Sequence, residues 1–193
     1  MSKKRRVAIK SVLWTIATLP LLLLWYAATQ GKLGPDPGEE IVHQLGLCAL
    51  WLLIATLSIT PLRKLTRNAE WLRYRRLLGL FCFFYACLHL LAFALFIVGL
   101  NLEQLAIEFS ERNYIVAGLA AILCLLPLAV TSTQGWQKKL GMRWKRLHQL
   151  VYLAAVLVLV HLWWQVRSDY GEAFLYTALL GGLLFIRVLL HKA

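Results

Sequence analysis

Acidic residues are scarce in this chain. Nine Asp and Glu stand against 21 Lys and Arg, giving a formal net charge of +12. None of the nine lies inside the long apolar runs. That absence argues against two kinds of membrane machine. Proton-relay pumps carry Asp or Glu chains within the membrane, and hard divalent cations ask for carboxylate oxygens. The four cysteines, Cys48, Cys82, Cys87 and Cys124, show neither CxxC nor Cys/His zinc spacing, so neither a disulfide framework nor a structural zinc is indicated. They sit in apolar runs and read as small core residues. There is no Gly-rich dinucleotide fingerprint and no phosphate-loop pattern. No loop between apolar runs exceeds about 16 residues, so no soluble catalytic domain fits between them. Neither an internal repeat nor a low-complexity segment is visible.

What is present is apolar surface. Of 193 residues, 60% are hydrophobic, and the mean hydropathy is +0.66. A soluble domain could not hide so much. Six nearly uncharged runs, at residues 11–31, 41–62, 77–102, 113–137, 147–166 and 173–190, each approach the ~20 residues of a spanning helix. The expected fold is an all-α membrane protein, a six-transmembrane-helix bundle forming one domain over 1–193. Arg187 near the end of the last run is expected to snorkel to the interface. No small-residue cleavage site precedes Gly31, so the first run reads as a retained span.

The loops set an orientation. Eighteen of the 21 Lys and Arg fall on the N-terminus, second loop, fourth loop and C-terminus; only Lys32, Arg112 and Arg167 fall on the other side. The acids divide the opposite way, with Glu70 alone on the basic side. The positive-inside rule places both termini in the cytoplasm. The same rule explains the basic charge as a topology signal, not a nucleic-acid footprint.

Five histidines remain to be explained: His43, His89, His148, His161 and His191. His191 lies on the C-terminal tail and needs no functional account. Counting from the basic side, His89 lies about 18 Å into the third run and His161 about 21 Å into the fifth, at 1.5 Å per residue. Two imidazoles at matched depth on separate helices, without carboxylates, suit axial ligation of a haem iron from both faces. The plain alternative is a pair of interhelical hydrogen-bonding residues. His148 shares the fifth run with His161, near the basic face. His43 could touch quinone or cap a helix.

Longer stretches carry a resemblance. Arg75-Arg76-Leu77-Leu78-Gly79-Leu80 leads to Leu88-His89-Leu90. Thr131-Ser132-Thr133-Gln134, Lys139-Leu140-Gly141, Trp144, Leu147-His148, Val151-Tyr152-Leu153 and His161 follow, while Leu33-Gly34, Asp36-Pro37, His43 and Ile59-Thr60-Pro61-Leu62 precede. Together these resemble the MsrQ (YedZ) family, within the wider ferric-reductase-like transmembrane family. The resemblance implies a haem b subunit of the bacterial inner membrane. It would carry electrons from the quinone pool, or from a cytosolic flavin reductase, to MsrP. MsrP is a periplasmic molybdopterin enzyme that repairs methionine sulfoxide in oxidised proteins. The resemblance also implies FMN as a second cofactor, and His89, His148 and His161 as the haem-linked histidines. Wider-family oxidases carry two histidines on the third span, whereas here Arg75 stands fourteen positions before His89. Arg75 or Arg76 could meet a haem propionate or help hold a second haem opposite His148; a surface topology charge is the plain alternative. One outer haem is expected and a second is open. The basic loops Arg63–Arg76 and Lys138–Arg146 could hold the FMN phosphate or lipid headgroups. The rival functions are a related cytochrome with another acceptor, such as ferric iron or oxygen, and a cofactor-free transporter or assembly factor.

Overall fold

The structure, a computed structural model, describes residues 2–166 and 170–192, excluding the side chains of 190–192. Arg167, Asp169 and the His191 side chain lie outside the described residues. Nine α-helices are described: α1 Lys3–Thr29, α2 Pro37–Thr66, α3 Leu72–Ala92, α4 Leu102–Glu111, α5 Asn113–Val130, α6 Gln134–Leu140, α7 Met142–Leu147, α8 Leu150–Gln165 and α9 Gly171–Lys192. Six helical segments are long and apolar enough to cross a membrane: Lys3–Thr29, Pro37–Thr66, Ala69–Ile97, Asn113–Val130, Met142–Gln165 and Gly171–Leu189. The chain is a multi-pass membrane protein.

Local chemistry sets the helix ends. The Asp36 carboxylate accepts the Glu39 N–H, Pro37 occupies the first turn, and Glu39 and Glu40 face the positive end of the α2 dipole. Arg63 and Lys64 sit in its last turn, at the negative end. Asn101 caps α4 through bonds to the Glu103 and Gln104 N–H groups. The uncharged run expected to continue to Gln137 breaks at Thr131–Thr133. There the Thr133 hydroxyl caps a new helix, α6, by accepting the Trp136 N–H. The fifth run also has a break, at His148–Gln149, between α7 and α8.

The helices pair as hairpins. α2 packs along α3, α5 packs along α8, and α9 lies against α2 and α8. One buried cluster joins these elements through Leu53, Leu57, Cys82, Leu125, Ala154 and Leu180. The fully buried Ala154 and Ala155 let α8 approach its neighbours closely, the usual device where lipid gives no hydrophobic drive. α1 is peripheral: Ala17 is its buried residue, and the buried Tyr85 hydroxyl donates to the Ala17 carbonyl at 2.6 Å. α3 ends in a π-helical turn, Phe93–Ile97, where the Val98 N–H reaches back to the Phe93 carbonyl.

Arg187 does not snorkel. Only 9% exposed, it turns inward from α9. It donates to the Leu57 carbonyl at 2.6 Å, the Thr60 hydroxyl at 3.1 Å and the Tyr152 hydroxyl at 2.7 Å. The reason lies four residues beyond Leu57. Pro61 has no N–H, so the Leu57 carbonyl loses its helical donor and Arg187 supplies one. The ion pairs Arg6–Glu70, Arg73–Glu70 and Arg112–Glu108 do not involve Arg187.

Candidate functional site

His89 on α3 and His161 on α8 come together. Their ring centroids are 6.2 Å apart and their planes stand at 90°. The His89 Nδ1 is 2.8 Å from the Val42 carbonyl, and the His161 Nδ1 is 2.6 Å from the Tyr114 carbonyl. A carbonyl only accepts, so each Nδ1–H donates, and in the neutral ring each Nε2 keeps its lone pair. This is the arrangement in which metal-bound histidines are held. Val42 lies in the second turn of α2 and Tyr114 in the first turn of α5, which puts the pair toward the acidic end of the bundle.

Two glycines complete the arrangement. A Cβ at Gly46 would lie 3.0 Å from the His89 Nδ1, and one at Gly118 would lie 2.8 Å from the His161 Nδ1. Each imidazole therefore rests on bare backbone one turn after the carbonyl that holds it. The two units have equal spacing: 47 residues separate carbonyl from histidine in both. Although the sequence shows no repeat, α2–α3 and α5–α8 present the same histidine clamp twice.

The pair suits a single shared metal. Among the described residues, no three His, Cys, Asp or Glu side chains gather into a metal-ion site. Imidazoles bonded through Nε2 to one central metal, at about 2.0 Å each, would hold their ring centres about 6 Å apart. The observed separation fits. A macrocycle that fills the other coordination positions would suit two protein donors, and the surrounding helices are apolar.

His148 is not part of this pair. It stacks on Trp144, with centroids 3.9 Å apart, and its Nδ1–H donates to the Trp144 carbonyl at 3.1 Å. It lines a cavity of about 170 Å³ with Arg75, Arg76, Gln137 and Ser132, walled by Leu53, Leu125 and Val151. Arg75 and His148 thus share one chamber near the basic end, with no carboxylate in its lining among the described residues. Such a chamber offers cationic groups to an anion and an apolar wall to a ring.

At the acidic end His43 lines a separate cavity of about 290 Å³ with Asp36, Glu39, Glu40 and Gln165. Nearby, the Arg112 guanidinium bonds the Tyr114 hydroxyl at 3.1 Å and pairs with Glu108 at 2.9 Å. The hydrogen bond to Tyr114, reinforced by neighbouring negative charge, raises its proton affinity above the ordinary arginine value. This cluster fixes the turn that supplies the carbonyl to His161. Gly46, Gly118 and the two carbonyls are absent from the expected site; the signal that could have found them is the equal spacing from each glycine to its histidine.

Residues 45–160 match the family model described as ferric reductase like transmembrane component. Two curated relatives are the protein-methionine-sulfoxide reductase heme-binding subunit MsrQ of Xanthomonas axonopodis pv. citri (strain 306) and that of Xanthomonas campestris pv. campestris (strain 8004). Each is 45% identical over 188 residues, covering 94% of this chain and 86% of the relative. No solved structure matches the chain. With this identity along nearly its whole length, the chain belongs to the MsrQ family of ferric-reductase-like transmembrane proteins.

Proposed function

We propose that this protein is the haem-binding electron-transfer subunit of a methionine-sulfoxide-repair system. The observation that carries the reading is the His89–His161 pair: Nδ1 atoms tied to backbone, rings 6.2 Å apart, in apolar surroundings. Both curated relatives are named as heme-binding subunits of protein-methionine-sulfoxide reductases. Haem b held there supplies one-electron ferric–ferrous chemistry. His89 and His161 would hold the haem iron, and the Val42 and Tyr114 carbonyls would fix their tautomers. The surrounding apolar helices exclude water.

In this reading one transmembrane domain lies in the bacterial inner membrane with both termini in the cytoplasm, following the loop charges. Electrons come from quinol or from a cytosolic flavin reductase. They leave to periplasmic MsrP, which docks on the acidic outer segments around Asp36, Glu39, Glu40, Glu103 and Glu111. The cytoplasmic chamber of Arg75, Arg76 and His148 takes an anionic ring cofactor: FMN through its phosphate, or a second haem through its propionates.

The test is a reduced-minus-oxidised visible spectrum of the purified chain, expressed with ample iron and porphyrin. Bands of b-type haem are expected, and they should disappear from the outer site in His89→Ala and His161→Ala. A colourless wild type would end the redox reading and favour a cofactor-free transporter or assembly factor. Full haem in both variants would overturn the ligand assignment. Re-oxidation that is equally fast without MsrP would favour another acceptor.

A further inference from the structure

We propose that Gly46 and Gly118 are positioning residues that set the planes of His89 and His161 perpendicular to each other. The inference rests on the haem reading above and extends it to the electronic character of the iron. Each ring is caught between a carbonyl that takes its Nδ1–H and a glycine that leaves room for its edge. At Gly118 the added Cβ would stand 2.8 Å from Nδ1 and 3.0 Å from Cε1 of His161; at Gly46 the distances to His89 are 3.0 and 3.1 Å. A Cβ at Gly118 would force the His161 ring to shift, and one at Gly46 would require the His89 ring to give by a few tenths of an ångström. Turning also bends the Nδ1–H bond away from its carbonyl, which alters ligand basicity. The two clamps sit on different hairpins, and together they produce the 90° angle.

The angle has a spectroscopic meaning. Perpendicular axial imidazole planes leave two iron dπ orbitals nearly degenerate in the low-spin ferric state. The result is a strongly anisotropic electron paramagnetic resonance spectrum with one large g value. Parallel planes split those orbitals and give a rhombic spectrum with a smaller largest g.

The experiment compares the haem-loaded full chain with Gly118→Ala, Gly46→Ala and the control Gly182→Ala, where nothing lies within 4 Å of an added Cβ. Low-temperature spectra and midpoint potentials are recorded for each. The wild type is expected to show the large-g signal. Gly118→Ala should lower the largest g and shift the potential, Gly46→Ala should do so less, and Gly182→Ala should match the wild type. If Gly118→Ala retains no haem, the milder Gly46→Ala decides. A rhombic wild-type spectrum overturns the inference, as do haem-replete Gly46→Ala and Gly118→Ala variants with wild-type spectra and potentials. A haemless wild type would instead sink the functional reading.

Discussion

Arg187 and Pro61 form a pair whose coupling can be measured. Arg187→Ala removes three donor contacts at once, to the Leu57 carbonyl, Thr60 and Tyr152. The largest loss is at Leu57, because Pro61 offers no N–H to replace the guanidinium. An unsatisfied buried acceptor costs about 1–3 kcal/mol. Other polar contacts between membrane helices average nearer 0.6 kcal/mol. Removing a buried cation that, among the described residues, has no carboxylate partner returns part of this. A net destabilisation of about 2 kcal/mol follows. Pro61→Ala restores an N–H to the fourth residue after Leu57, so in that background Arg187→Ala should be cheaper by about 1–2 kcal/mol. The general effects of Pro61→Ala on helix and unfolded chain cancel in the double-mutant cycle. Unfolding of the purified protein in mixed micelles, for the wild type, both single variants and the double variant, gives the coupling. Additivity within about 0.5 kcal/mol would refute the claim that Arg187 serves the carbonyl Pro61 abandons.

Three further outcomes are expected. Tyr85→Phe removes the bond that holds α1 to α3 and should cost about 1 kcal/mol, read as faster proteolysis or weaker cross-linking of α1; unchanged protection of α1 would contradict this. Arg75→Ala combined with His148→Ala should remove FMN or a second haem while leaving the outer haem, measured by flavin and haem quantitation against protein; loss of the outer haem instead would break the separation of the His89–His161 pair from the Arg75–His148 chamber. Reversing Asp36, Glu39 and Glu40 to Lys should slow electron delivery to MsrP at low salt more than at high salt, followed by stopped-flow re-oxidation; a rate independent of ionic strength would argue for docking elsewhere.

The membrane architecture was legible because lipid leaves little choice. Apolar runs of adequate length must be helices, and six such segments are present. His89 and His161 were legible as a pair because depth along a helix follows from counting. Gly46 and Gly118 were not, since a single glycine in an apolar run carries no signal until its partner histidine is known. The Val42 and Tyr114 carbonyls belong to the backbone and have no side-chain signature at all. Arg187 was misread for a different reason: its place near a helix end suggested snorkelling, whereas the deciding fact was a proline on another helix. The breaks at Thr131–Thr133 and His148–Gln149 were hidden by the continuous hydropathy on either side.

The twin clamps also carry a timetable. Each is complete within its own hairpin, but the second histidine is translated 72 residues after the first. At roughly 5–20 residues per second, the ribosome needs about 4–14 s to cover that distance. During that interval Val42, Gly46 and His89 have been made and His161 has not. On the proposed ligand assignment, capture of iron-porphyrin from both sides would wait on insertion of the later hairpin, and arrest of synthesis before residue 161 would leave a single-armed chain in the bilayer.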